Sequence, residues 1–428
     1  MTPSPTTAHF GTTGAHHVDL GGLLGGTTGM PHDSFAGAAG TRIAAYRQVR
    51  HLSQKGLAAK ANISYSLLTK VETGALPASP SMIAACARAL SVDVATLTAQ
   101  PYMHELRQDR LDALINPIRE ALDLYDIGAD EDTTPRDLAE LEADAEELCR
   151  LVRAGDLRTV GTELPGLIAE LTATVHAAPT AVRERSYAVL ASAYRTAYDV
   201  TTKLGYHDLC GVALDRMEWA AQRASDPVLV AIRQYLRALA YLRSGRYERG
   251  ARLLVSGHRI LEDADREAVE TIAVKGQIHL GGAVLAARAH DRDTAEAELA
   301  QARRAAARTG DVPQVHWLSF GPVNVSMHEV SAQAELDRYD QAITVASKIQ
   351  LPGDWPKSRV AHHHCEVARA QSWVGENEGA FRSLLLARKA APQQTRHHPV
   401  VHETVSTLVA ARRRAPDTLT SFAHWIGM

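Results

Sequence analysis

Residues 41–98 hold five short helical patterns separated by tight punctuation, and that punctuation leaves the segment little freedom. Thr41 is placed to cap a helix running to His51, with Ile43, Tyr46 and Val49 on one face. Ser53 caps a short helix over Gln54–Ala61. Asn62-Ile63-Ser64 makes a tight turn, Ser64 caps a third helix to about Thr73, and Gly74 sits just past its end. Pro77 and Pro80 punctuate a loop, a fourth helix covers Met82–Leu90, and Asp93 caps a fifth over Val94–Leu97. Charge singles out the same segment. Residues 41–100 carry Arg42, Arg47, Arg50, Lys55, Lys60, Lys70 and Arg88 against only Glu72 and Asp93, although the whole chain has a net charge of −3. Residues 101–150 reverse the sign, with five Arg against fifteen acids. A compact basic module beside an acidic stretch suits a polyanionic partner.

The run from Arg42 to Leu97 resembles the lambda-repressor-like helix-turn-helix family, also called the XRE family. Leu52-Ser53-Gln54 opens the second helix, Leu57-Ala58 packs it, Val71-Glu72-Thr73-Gly74 ends the third, and Ala87–Leu90 with Val92 closes the core. Two residues depart from the family pattern. Asn62 replaces the usual Gly, which the turn tolerates, and Gly56 lies inside the second helix at a cost of about 1 kcal/mol relative to Ala. The resemblance implies a structural pair, Arg47 with Glu72. It also implies a third helix lying in the major groove, with Tyr65, Ser66, Thr69 and Lys70 reading bases, Gln54 contacting phosphate or an outer base, and Ser64 and Thr73 completing the DNA-binding set. The implied partner is double-stranded DNA with a near-palindromic site, bound by a homodimer.

Around this module, 428 residues leave room for two or three domains. Residues 1–38 are rich in Gly, Thr, Pro and His and read as a disordered arm, with Met30 an alternative start. The arm has no Lys or Arg with which to hold phosphate. The domain proper is expected over 39–100. Residues 101–150 read as an acidic helical connector in which Asn116-Pro117 starts a new helix, followed by a loop at 126–134 and a helix over Pro135–Ala154. Its charge run reads as a solvated face.

Residues 151–428 show no strand-like alternation but weak internal repeats. Turn-like phrases recur at 155–160, 205–210, 245–250, 290–295, 337–342 and 375–380, each between two apolar helices. The phrases YLRSGRYERGARLL (241–254) and AELDRYDQAITVA (334–346) are the clearest units. The pattern resembles the tetratricopeptide repeat and implies an alpha-solenoid. The fold class expected is therefore all-α, a five-helix module followed by a repeat domain that senses a signal and dimerises. The phrase Trp317–Val325, with the Ala-Pro at 391–392 and His398–Val401, resembles actinobacterial regulators that join the two parts. The Arg-rich, Lys-poor composition (38 against 8) fits that source. The same architecture resembles the peptide-sensing regulators of other Gram-positive bacteria.

Enzymatic function is not expected. There is no GxxxxGK[ST] loop or GxSxG elbow, and the phrases starting at His104, His328 and His402 lack the second His of a zincin. His362–His364 and His398/His402 invite a metal, but three consecutive histidines diverge on a helix and Pro399 opens a helix that leaves His398 as its cap. No metal, cofactor or catalytic residue is assigned. Cys86, Cys149, Cys210 and Cys365 are far apart, as in a reducing cytoplasm. No apolar run reaches the ~18 residues of a membrane helix, and no secretory leader is visible. The groove candidates, chosen by their place before each turn, are Tyr194, Tyr198, Gln234, Tyr241, His279, Asn324 and His328. That set lacks an Arg cluster, so it suits a peptide or flat organic ligand better than a phosphate. The alternative reading is a protein-interaction scaffold whose helix-turn-helix only packs.

Overall fold

A computed structural model describes residues 38–100, 105–127, 133–411 and 417–428. The arm expected over 1–38 lies, apart from Ala38, outside them. In the first module α1 spans Ala39–Val49, α2 Gln54–Ala61, α3 Tyr65–Glu72, α4 Pro80–Leu90 and α5 Val94–Thr98. Serine side chains cap three of these helices: Ser53 accepts from the Gly56 N–H, Ser64 from Leu67 and Ser79 from Met82. Asn62 ends α2 in the left-handed conformation, at φ 55°, and so turns α3 across it. Ile43, Leu57, Leu68, Cys86 and Leu97 form the fully buried centre.

Two starts differ from expectation. α4 begins at Pro80 with Ser79 as its cap, because proline suits a first helical position. α1 begins at Ala39, before Thr41, and Ala38 offers no side-chain cap. The free N–H of Ala39 is instead bound by the Glu403 carboxylate at 2.7 Å, from the far end of the chain. Asp93 precedes α5 without a side-chain capping bond.

The rest of the described chain is helical. It runs through α6 (Glu105–Asp123), α7 (Leu138–Ala154), α8 (Leu157–Ala177), α9 (Thr180–Leu204), α10 (His207–Arg223), α11 (Pro227–Arg243) and α12 (Tyr247–Ile260). It continues through α13 (Val269–Arg288), α14 (Arg292–Thr309), α15 (Pro322–Glu335), α16 (Tyr339–Ala346), α17 (Lys357–Trp373) and α18 (Asn377–Ala390). The short α19 (Pro392–Arg396), α20 (Pro399–Ala410) and α21 (Asp417–Ile426) end it.

The break expected at Asn116-Pro117 does not occur. Pro117 lies inside α6, because Ile115, Ile118 and Leu122 bury one continuous stripe and one missing N–H does not outweigh it. The expected connector is likewise part of the body. Leu141, Leu148 and Val152 of α7 share a core with Leu164 and Leu171 of α8, and the boundary expected at residue 150 falls within α7. Its acids face outward and meet Arg136, Arg150 and Arg185.

Each turn-like phrase falls between a helix and its packing partner. Its first residue, Gly155, Gly205, Gly245, His290, Asp337 or Gly375, has positive φ. In the pairs α9/α10, α11/α12, α13/α14, α15/α16 and α17/α18, the first helix also packs on the first helix of the next pair. The succession then returns to its start, because α17 packs against α7. At this closure a Cβ on Gly155 would lie 2.9 Å from Ala391 Cβ, and Gln393 accepts from the Arg158 N–H at 3.0 Å.

The first residues of the Trp317–Val325 phrase belong to a compact loop over 311–321. Val312 bridges Phe320, and α15 begins at Pro322. Phe320 is fully buried, with its ring against Gly276 of α13, where a Cβ would come within 2.0 Å of it. Phe320→Ala is expected to cost about 3–5 kcal/mol in urea unfolding. A loss below about 1 kcal/mol would show that the loop does not anchor α13 to α15.

Candidate functional site

The outer face of α3 carries Tyr65, Ser66 and Lys70 exposed and Thr69 half-buried, while Leu68 and Val71 point into the core. No side-chain hydrogen bond or ion pair engages Ser66 or Lys70 among the described residues. The Thr69 hydroxyl donates to the Tyr65 carbonyl at 3.0 Å, and that of Thr73 donates to the Thr69 carbonyl at 2.9 Å, so both keep only acceptor capacity outward. Ser64 is the helix cap. Lys55 Nζ stands 5.9 Å from the centre of the Tyr65 ring.

Beneath this face, Arg47 binds Glu72 through two bonds, Nε to Oε1 at 2.7 Å and Nη2 to Oε2 at 2.9 Å. Its Nη1 donates to the Leu52 carbonyl at 3.0 Å. Glu72 holds the guanidinium pKa above its ordinary value. Gln54 joins the pair, donating from Nε2 to Glu72 Oε2 at 2.8 Å. One of its two amide N–H donors is therefore engaged inside the module, leaving the second N–H and the carbonyl oxygen for an outward contact.

The basic block is smaller at the surface than its count suggests. Arg42 is buried, with Nε donating to the Leu97 carbonyl at 2.6 Å and Nη2 lying 3.8 Å from Glu403. Arg88 donates to the Gly245 carbonyl at 3.0 Å. Arg50, Lys55, Lys60 and Lys70 remain exposed.

Arg42 and Arg88 belong to a seam between the module and the helical body. Gln100 joins it, donating to the His397 carbonyl at 3.4 Å and meeting His207 Nε2 at 3.2 Å. A Cβ on Gly245 would lie 2.6 Å from that of Ala84. Burial pushes the Glu403 carboxyl up to about 7, against the stabilising Ala39 N–H and Arg42. Helices α1 and α4, the loop before α4 and the end of α5 thus face the body, while α3 faces away.

Inside the closed succession of helices lies a cavity of about 920 Å³. Pro77, Ala78, Asp93, Ala95 and Thr98 of the module close part of its mouth. Of the groove candidates, Tyr198, Tyr241 and His328 line it. Tyr194 is fully buried and Gln234 accepts from Arg233, both away from the lining. His279 pairs with Glu298 at 2.6 Å and packs on His258 of α12. Asn324 is buried behind the wall, neither a helix cap nor a lining group. It donates to Gln277 at 3.2 Å and accepts from Arg359 at 2.8 and 3.1 Å.

The lining also holds what the groove candidates lacked: Arg153, Arg195, Lys203, Arg243, Arg288, Arg359 and Arg369. None of these seven was among the groove candidates chosen from the sequence. These residues sit on five different helices, so their spacing along the chain hides their meeting. One signal was legible: Arg195, Asp199 and Lys203 recur every fourth residue on an otherwise apolar face of α9.

Among the described residues, no three His, Cys, Asp or Glu side chains come together as a metal site, and no helix is long and apolar enough to cross a membrane. The His362 and His398 rings meet at 3.3 Å, and His402 Nε2 lies 2.8 Å from the Arg396 carbonyl. The family model of a helix-turn-helix domain matches residues 38–100. No curated protein and no solved structure matches the chain.

Burial lowers the pKa of His207, His258, His363 and His398 to about 4, and of His328 and His402 to about 3. The folded state then binds fewer protons than the unfolded chain below pH ~6.5. Stability from these neutral rings is present above that pH and is lost as pH falls toward 4. Glu403, shifted upward, has the opposite sign and loses its contribution as pH rises through about 7. Burial lowers His362 and His364 as well, so with eight rings against one carboxyl, urea unfolding is expected to show stability falling steeply from pH 7 to 5. Each proton taken up on unfolding adds about 1.4 kcal/mol per pH unit. A flat profile over that range would contradict the burial of these rings.

Proposed function

We propose that the chain is a cytoplasmic, sequence-specific transcription regulator. It binds double-stranded DNA as a homodimer on a near-palindromic site and is regulated through its helical C-terminal body. The observation that carries this reading is the orientation of the helix-turn-helix domain. Its seam with the body uses α1, α4 and the end of α5, while the Tyr65–Ser66–Lys70 face of α3 stays exposed and uncommitted. A module retained only for packing has no need of that polar face. Arg50, Lys55, Lys60 and Lys70 supply charge for phosphate. The body is read as a tetratricopeptide-like solenoid closed on itself, supported by the paired helices and the left-handed residue at each turn. Dimerisation follows from the few base contacts that one short helix offers.

Lys70→Ala is expected to weaken binding to a duplex taken from the strongest genomic footprint by about 1–3 kcal/mol and to relax its sequence preference. Fluorescence anisotropy with wild-type and shuffled duplexes measures both. Unchanged affinity and preference would remove Lys70 from the reading set, and a complex of one protein per duplex at saturation would defeat the dimer.

A further inference from the structure

The cavity wall gathers more buried cation than carboxylate. In it Arg288 and Arg369 are matched by Glu335 and Glu366, at 2.6 to 3.2 Å. The lining also holds Arg153 of α7, Arg195 and Lys203 of α9, Arg243 of α11 and Arg359 of α17, with Glu366 in electrostatic reach of Arg359 and Asp199 as the carboxylate acting on the other four. Arg153 takes that carboxylate, at 2.7 Å. The other four hold neutral partners. Lys203 donates to Gln394 at 2.7 Å, Arg243 to the Tyr198 hydroxyl at 2.7 Å, Arg359 to Asn324 and Arg195 to the His316 carbonyl.

Arg195 is only 3% exposed, yet its Nε and Nη2 make no hydrogen bond among the described residues. The groups also disfavour one another. Burial and the Arg153 charge lower Arg195 and bring Lys203 to about 7, and burial brings Arg359 to about 10. Buried guanidinium donors left without acceptors destabilise a fold, and a bound anion supplies the missing acceptors. The lining also includes apolar and aromatic side chains, among them Leu236, Leu239, Val284 and Trp317. A volume of about 920 Å³ matches a small organic molecule.

We propose that this cavity binds a small organic anion, with a phosphate or carboxylate head on Arg195, Lys203 and Arg359 and an apolar body against Leu239 and Trp317. Because Pro77, Ala78, Ala95 and Thr98 of the DNA-binding module close part of the mouth, an occupant touches that module directly. This last step rests on the regulator reading above, whereas anion binding does not.

The test is isothermal titration of the full chain, without DNA, with 1-naphthyl phosphate, 1-naphthoate, neutral 1-naphthol and inorganic phosphate. At least one naphthyl anion is expected to bind with Kd below about 1 mM, at least tenfold tighter than naphthol and than inorganic phosphate. The phosphate and carboxylate arms identify the head group. Arg359→Gln and Lys203→Met are each expected to weaken that binding at least tenfold. Lys203→Met gives up a hydrogen bond to Gln394 and the attraction of Asp199 but relieves burial of a charge and repulsion from Arg153, Arg359 and Arg243, and its melting temperature without ligand is expected to stay level or rise. Naphthol binding as tightly as the anions, or unchanged anion binding in a folded Lys203→Met protein, overturns the proposal. The same anion added to a protein–duplex titration is expected to shift duplex affinity at least threefold. Failure of the chain to bind any duplex overturns the regulator reading alone, because the titration without DNA is still read.

Discussion

The return of α17 and α19 onto α7 and α8 is the contact on which the rest of the body depends. It needs the bare backbone of Gly155, which is left-handed and lies too close to Ala391 for a side chain. A superhelix left open would present its inner helices to water, where charged groups repel weakly. Closure takes that face out of bulk water. Arg153, Arg195, Lys203 and Arg359 then lie in a low-dielectric wall, and every unsatisfied donor there carries a cost. The fold thus concentrates positive charge in its interior while the acidic face of α7 meets solvent.

The second consequence concerns the helix-turn-helix domain. Glu403 of α20 does for α1 what a local N-cap residue would do, and it also approaches Arg42. A helix start completed by a residue more than three hundred positions away ties the module's orientation to the body. The same seam draws Arg42 and Arg88 out of the basic surface. The charge left outside is smaller than the sequence total, but it borders α3. The Arg47–Glu72–Gln54 cluster then holds α1, α2 and the end of α3 at fixed angles beneath that face.

Local chemistry made the module legible. Ser53, Ser64, Asn62 and Gly74 act within a few residues of themselves, so α2 and α3 could be read almost to the residue. The six turns were legible for the same reason. Long-range packing was not. Pro117 sits inside α6 because buried Ile115 and Ile118 override a breaker. The rotation of each long helix is set by its neighbours and not by the turn that follows it. Gln234 and His279 were chosen by their place before a turn and face the outer helices instead, while Tyr198 and Tyr241 face the cavity. The cationic wall is assembled from five helices, and only the Arg195–Asp199–Lys203 spacing gave any sign of it along the chain.

The central claim is that α3, held outward by a seam on the opposite side of its module, reads base sequence. Repeated selection of duplexes from a random library by the full chain tests this most directly, because it presupposes no operator. The account predicts enrichment of one near-palindromic motif with two equivalent half-sites. Recovered duplexes with the base composition of the starting library, at salt low enough for phosphate contacts to hold them, would contradict it.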